Sequence, residues 1–198
     1  MRIKYNAPTV LGFGIVSALA LLLSQTLLRF YPLEELWFAA PGRGGFHPAS
    51  PRCWVTLVTH PAGHANWTHL VSNFMVILLV GPILEEQYGS FHLLIMILVT
   101  ALATGLLNAF FFDTGLMGAS GVVFMMILLA SFTNFTAGEI PLTFVLILVL
   151  YLGREIVNSF GSNNISEFAH IVGGFIGSLF GFFRAPRTRR GREGPGNG

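Results

Sequence analysis

Gly118-Ala119-Ser120-Gly121-Val122-Val123-Phe124-Met125-Met126-Ile127-Leu128-Leu129-Ala130 sets one hydroxyl among small residues at the head of an otherwise apolar run. The run covers about 118–134, short against the roughly 20 residues that a membrane-spanning helix needs. Upstream stand Phe110, Phe111, Phe112 and Asp113, then Thr114-Gly115-Leu116-Met117. A short span reached through a glycine-containing loop is expected to begin below the membrane surface, with the loop dipping in. Non-helical backbone survives at that depth only when it is buried in protein or lines a watery cavity. The expectation is therefore a cavity beside Ser120.

Five more apolar runs lie on either side, at about 9–28, 69–87, 91–112, 141–159 and 166–184. The composition agrees, because 53% of the 198 residues are hydrophobic and only 10% charged, against about 25% charged in soluble domains. The first run also has a signal-peptide reading, since Arg2 and Lys4 precede an apolar core. That core is long for a cleaved leader, however, and no cleavage-type site is followed by a plausible soluble start. The fold class expected is thus an all-α membrane protein, a bundle of six spanning helices over 1–184. Residues 29–66 form a long external first loop and 185–198 a basic cytoplasmic tail.

Orientation follows from the basic residues. Seven of the 11 Lys and Arg sit at the termini: Arg2, Lys4, Arg184, Arg187, Arg189, Arg190 and Arg192. The positive-inside rule puts both ends in the cytoplasm, in the inner or plasma membrane of a cell. A basic tail can also bind nucleic acid. This one is short, rich in Gly and Pro and directly follows a span, so an orientation signal or lipid headgroup contact is the better reading, with no nucleic-acid partner. The first loop carries Phe30, Tyr31, Trp37, Phe38, Phe46 and Trp54, bulky groups that suit partial burial at the interface better than a free loop.

Threading six helices from that orientation brings polar residues to one depth. Span two starts outside with His64 before it, His69 at its start and Asn73 one turn in. Span four has Ser120 in its first turn, and span six has His170 in its second. Polar groups inside a membrane are costly and mark function. Taken alone, Gly118-x-Ser120-Gly121 marks a close helix contact, since small residues are common where membrane helices touch. As chemistry, glycines leave the hydroxyl accessible, and unpaired N–H groups at a helix start suit a developing oxyanion. A lone His in a span has a structural hydrogen-bonding reading. Gly173, Gly174 and Gly177 at i+3, i+4 and i+7 from His170 change it, because they share its face and let a neighbouring helix approach closely. If that neighbour is span four, His170 comes within proton-transfer reach of Ser120. Asn73 and His69, one turn apart, read either as an interhelical hydrogen-bonding pair or as two donors to the oxyanion.

Metal chemistry fits poorly. His64-x4-His69 is not the i, i+4 pair of a helical zinc site, H-E-x-x-H is absent, and a metal would leave Ser120 unexplained. No cofactor fingerprint or phosphate loop is present, so no cofactor is expected. Cys53 is the single cysteine, which rules out an intramolecular disulfide.

Three motifs together resemble the rhomboid family: His64-x4-His69-x3-Asn73 entering span two, Gly118-x-Ser120-Gly121 entering span four, and Ala169-His170-x2-Gly173-x3-Gly177 in span six. They cover about 54–184 in the family's order. The resemblance implies a six-helix bundle with a catalytic Ser120–His170 dyad, Ser120 attacking and His170 acting as base and then acid. It implies an oxyanion site made by the Ser120 N–H, His69 and Asn73, and transmembrane proteins as substrates, cut near the outer face. Glu85, sixteen residues after His69, resembles the family's structural glutamate. The chain departs from the family twice. A Trp-Arg pair common in the first loop is replaced by Trp54-Val55, with Arg52 as the nearest arginine. Phe124 stands where many members have a tyrosine packed on the histidine. The competing class is a non-catalytic relative that binds membrane helices as a chaperone; loss of the serine or histidine would favour it, and both are present.

Overall fold

The computed structural model describes residues 5–27, 30–132 and 164–183, with isolated helical positions at 142, 145, 146 and 149. At 132, 164–170, 181 and 182 only the backbone is described. The expected fifth span, about 141–159, and the tail 185–198 lie outside the described residues.

Among the described residues seven helices follow in order: α1 Pro8–Gln25, α2 Leu33–Trp37, α3 Pro51–Thr59, α4 Trp67–Tyr88, α5 Ser90–Phe111, α6 Ser120–Phe132 and α7 Asn164–Phe183, with a 3-10 turn His60–Ala62 between α3 and α4. Among the described residues α1, α4 and α5 are long and apolar enough to cross a membrane, and α6 and α7 contribute shorter apolar segments. Local chemistry sets their starts. Pro8 and Pro51 open α1 and α3, where the missing N–H has no helical partner in any case. Asn66 caps α4 by accepting the His69 N–H at 2.9 Å, as short polar side chains do at helix starts.

Packing places α6 at the centre. Val122, Phe124, Met125, Met126 and Leu129 are all within a percent of full burial, and α6 touches α4, α5 and, most broadly, α7. The outer faces of the long helices carry exposed apolar groups such as Met75, Leu79 and Phe91, the pattern of helices solvated by lipid. α1 runs antiparallel to α4: Val10 fills the space against Gly81, and Phe13 meets Phe74 with ring centroids 5.1 Å apart. The buried Glu85 carboxylate accepts the Thr9 N–H at 2.9 Å and the Val10 N–H at 3.0 Å. It therefore satisfies two of the orphan donors at the start of α1 and places a negative charge at the positive end of its dipole.

The first loop is largely built rather than free. α3 lies on α5, with Leu57 seated over Gly105. His60 Nε2 is 3.1 Å from the Ala101 carbonyl and 3.2 Å from the Thr104 hydroxyl. Ala101 is ten residues from the Phe111 end of α5, about 15 Å at 1.5 Å per residue. The loop thus reaches halfway down that helix.

Candidate functional site

Ser120 is the first residue of α6 and half-buried. The segment leading to it is fastened to the first loop at four points. Ala40 and Leu116 exchange both backbone hydrogen bonds, at 2.9 and 3.0 Å. The Arg43 N–H donates to the Phe112 carbonyl at 2.5 Å, and the Arg43 guanidinium grips Asp113 at 2.9 and 3.1 Å. Buried Asn108 donates to the carbonyls of Pro41 at 3.2 Å and Thr114 at 2.9 Å. Finally the Gly118 N–H donates to the His60 carbonyl at 2.9 Å. The exposed ion pair adds little. The Asn108 and Gly118 bonds matter more, because a buried polar group left unpaired costs about 1–3 kcal/mol. Through His60 the serine segment is tied to the middle of α5, below its Phe111 end.

Gly118 admits no side chain without strain. Its φ of 121° lies in the range that side chains avoid, and an added Cβ would fall 2.6 Å from Cε1 and 2.8 Å from Nε2 of His69. The His69 imidazole therefore lies directly over the backbone two residues before Ser120. Asn73 is buried one turn along α4, and its Nδ2 donates to the His69 carbonyl at 3.0 Å. One amide hydrogen is used there, and the amide carries a second. His64 is fully buried, its ring centroid 5.0 Å from that of His69 and 5.9 Å from Phe74.

α7 comes to α6 through glycine. A Cβ on Gly173 would fall 2.8 Å from the carbonyl carbon of Gly121 and 3.0 Å from its Cα, and one on Gly177 would fall 2.9 Å from the Met125 Cα. Gly121 to Met125 and Gly173 to Gly177 are both steps of four, so the two helices run parallel and in register. Continued upward, that register sets residue 170 opposite 118, two residues or roughly 3 Å above the level of Ser120. The backbone at 170 is helical, and the His170 side chain lies outside the described residues. Phe124 is buried with its ring against Gly174, 2.5 Å from where a Cβ there would stand. That glycine is one turn below position 170 on the same helix.

Three polar groups of this region escaped the sequence reading. His60 offers a sequence signal only in standing four residues before His64. Asn108, an amide near the end of an apolar span, carried the ordinary signal of a costly polar group in a membrane. Glu34, whose Oε2 accepts the His64 N–H at 3.2 Å, gave no signal, because a five-residue helix in a loop has no readable period. Burial pushes both loop histidines down to about 4, with the hydrogen bonds to Ala101 and Ala62 working the other way; for His64 the neighbouring His69 lowers it a little further. Burial raises the Glu34 carboxyl, the His64 N–H lowers it, and the nearby Glu35 raises it.

A helical membrane protein with a serine at the start of its central helix, set below the end of a neighbouring span, is the class that fold and site define. The family model described as the rhomboid domain matches residues 51–187, and the chain belongs to the rhomboid family. It is 30% identical over 145 residues to RHOMBOID-like protein 4 of Arabidopsis thaliana, covering 67% of this chain and 36% of that protein. It is 27% identical over 183 residues to RHOMBOID-like protein 2 of the same plant, covering 83% and 56%. With rhomboid protease GlpG of Haemophilus influenzae it shares 23% over 139 residues, covering 69% and 72%. The chain thus spans between a third and somewhat over half the length of these two plant relatives. As a rhomboid it is an integral membrane protein.

Proposed function

We propose that this chain is an intramembrane serine endopeptidase of six spanning helices, with both termini cytoplasmic, that cuts transmembrane proteins near the outer face of the membrane. The observation that carries the reading is the parallel glycine seam between α6 and α7. Gly121 against Gly173 and Met125 beside Gly177 bring the two backbones together, and the register leaves Ser120 and His170 within one turn of each other in height. Ser120 Oγ would attack the scissile carbonyl as His170 takes its proton. His170 would then give that proton to the leaving amine and activate the water that releases the acyl group. The Ser120 N–H, at the start of α6 where backbone donors lack an intrahelical acceptor, would bind the oxyanion together with His69 and Asn73. His69 supports this role by lying over Gly118. Family membership and the protease among the relatives support the same reaction class.

The test uses purified protein in detergent with a panel of single-span substrates, and mass spectrometry of the cut ends. Ser120→Ala and His170→Ala should each abolish cleavage while the helical content stays unchanged, and metal chelators should have no effect. A serine-directed fluorophosphonate should label the parent chain and not Ser120→Ala. Undiminished cleavage by Ser120→Ala would overturn the reading. Binding of membrane helices without cleavage or labelling would favour the non-catalytic alternative.

A further inference from the structure

Beside the serine segment lies a cavity of about 400 Å³, walled by the end of α1, by α2 and by the turn before α4. Two side chains that line it are more than nine-tenths buried and carry a buried atom with no partner among the described residues: Glu34 Oε1 and His64 Nε2. Their hydrogen bonds settle what those atoms offer. His64 Nδ1 lies 3.2 Å from the Ala62 carbonyl. A carbonyl only accepts, so Nδ1 holds the proton and Nε2 presents a lone pair. Glu34 Oε2 already accepts the His64 N–H, and Oε1 is a second bare acceptor. Glu35 lines the same cavity and adds another carboxylate. The acidic lining of the cavity therefore suits donors and positive charge.

The other walls decide what kind of cation. Leu21, Leu33 and Met117 line the cavity too, and apolar walls beside carboxylates match a long aliphatic stem with a charged head. Among the described residues no group of three or more His, Cys, Asp or Glu side chains is placed to hold a metal ion, so an organic cation suits the cavity better than a divalent metal. Met117 is three residues before Ser120, at most about 11 Å along extended chain. We propose that this cavity receives the lysine or arginine side chain of a polypeptide held across Ser120, and so selects substrates with a basic residue within about four positions of the bond that is cut. The inference rests on the reading of Ser120 as the point where a polypeptide is held.

Glu34→Gln is the informative variant. It keeps an oxygen for the His64 N–H and turns the bare acceptor into an amide donor. Full-length Ser120→Ala protein in detergent would be titrated with fluorescent single-span peptides. In these peptides one arginine, or glutamine as the neutral match, is walked over six positions on each side of a small residue. At one position arginine should bind about tenfold or more tighter than glutamine, as hydrogen bonds to charged groups allow. Glu34→Gln should remove the preference and leave glutamine peptides unaffected. Glu35→Gln, an exposed change that leaves the packing alone, should reduce the preference, and added salt should weaken it. If Glu34→Gln fails to fold, the Glu35→Gln and salt arms decide. Arginine and glutamine binding alike at every position, or a preference that Glu35→Gln and salt leave intact, would overturn the proposal. Cleavage of the same peptides by the parent chain keeps the two readings apart. Cutting without arginine preference in the binding arm sinks the cavity alone, whereas a preference in binding without any cutting sinks the protease.

Discussion

Asn73 shows how one side chain divides its hydrogen bonds. One amide hydrogen goes to the His69 carbonyl, which steadies the first turn of α4, and the other is the proposed donor to the oxyanion. Asn73→Ala should then lower kcat more than it raises KM, because an oxyanion forms only in the transition state. Loss of one such donor typically costs ~10²–10³ in rate, and His69 softens the loss by remaining in place. A rise in KM at constant kcat would make Asn73 a binding residue instead. His60 and His64 make a prediction of another kind. Both titrate near 6.5 in an unfolded chain and at about 4 in the fold, so between those values the unfolded chain binds more protons. Stability should be level above about pH 6.5 and fall as pH drops toward 4, by up to about 1.4 kcal/mol per pH unit for each proton. Glu34, raised by burial, works the opposite way as one proton against two, so the histidines set the sign. Thermal unfolding in detergent from pH 7.5 to 4.5 reads this directly, and a midpoint that does not move would refute it.

The seam of α6 and α7 is where the element scale governs chemistry. Valine at Gly173 or Gly177 would put bulk into the backbone of Gly121 or Met125 and force the helices apart. A misplacement of about 1 Å can cost roughly 10²-fold in rate. Both variants should therefore lose activity out of proportion to stability, and Gly181→Val, one turn further down α7, should lose less. Wild-type turnover by the first two would mean that position 170 owes nothing to this seam. The glycines at i+3 and i+7 from His170 made the seam readable in sequence, because close approach of two helices demands small residues. The long helices were readable for a similar reason, since crossing a bilayer needs an apolar run that nothing else needs. The expected starts at about 69 and 91 agree with Trp67 and Ser90 to within two residues. The expected end at about 28 overshoots Gln25, because apolar Leu27 extends the run beyond the helix. α2 and α3 were not readable. They are short and carry no spanning requirement, and docking of Leu57 over Gly105 depends on a partner 48 residues away. Asn108 is legible in sequence only as a costly polar group in an apolar span, and its partners, like those of His60, come from tertiary contacts with the serine segment.

At the scale of the whole molecule, the directions of the longer described helices follow once one point is placed relative to the membrane. α1 and α4 are antiparallel, α4 turns into α5 at Gly89, and α6 and α7 are parallel. If Ser120 is near the outer face, the α1–α2 connection must be outside and the residues before α1 inside. The native thiol looks like a ready reporter of this, but Cys53 is 6% exposed and its Sγ rests 3.8 Å from the Gly45 carbonyl, so it should react slowly from either side. A better probe is Phe30→Cys in a Cys53→Ser background, because Phe30 is 99% exposed and its replacement disturbs no packing. An impermeant maleimide should label it in intact cells. Tyr5→Cys, 64% exposed just before α1, should be labelled only after the membrane is opened. Each probe controls for the other, since loss of reactivity through misfolding would silence both sides without exchanging them. The reverse pattern, Tyr5→Cys labelled in intact cells and Phe30→Cys protected, would invert the molecule. It would move Ser120 to the cytoplasmic half of the bilayer and make substrates cut at the inner face the ones to seek.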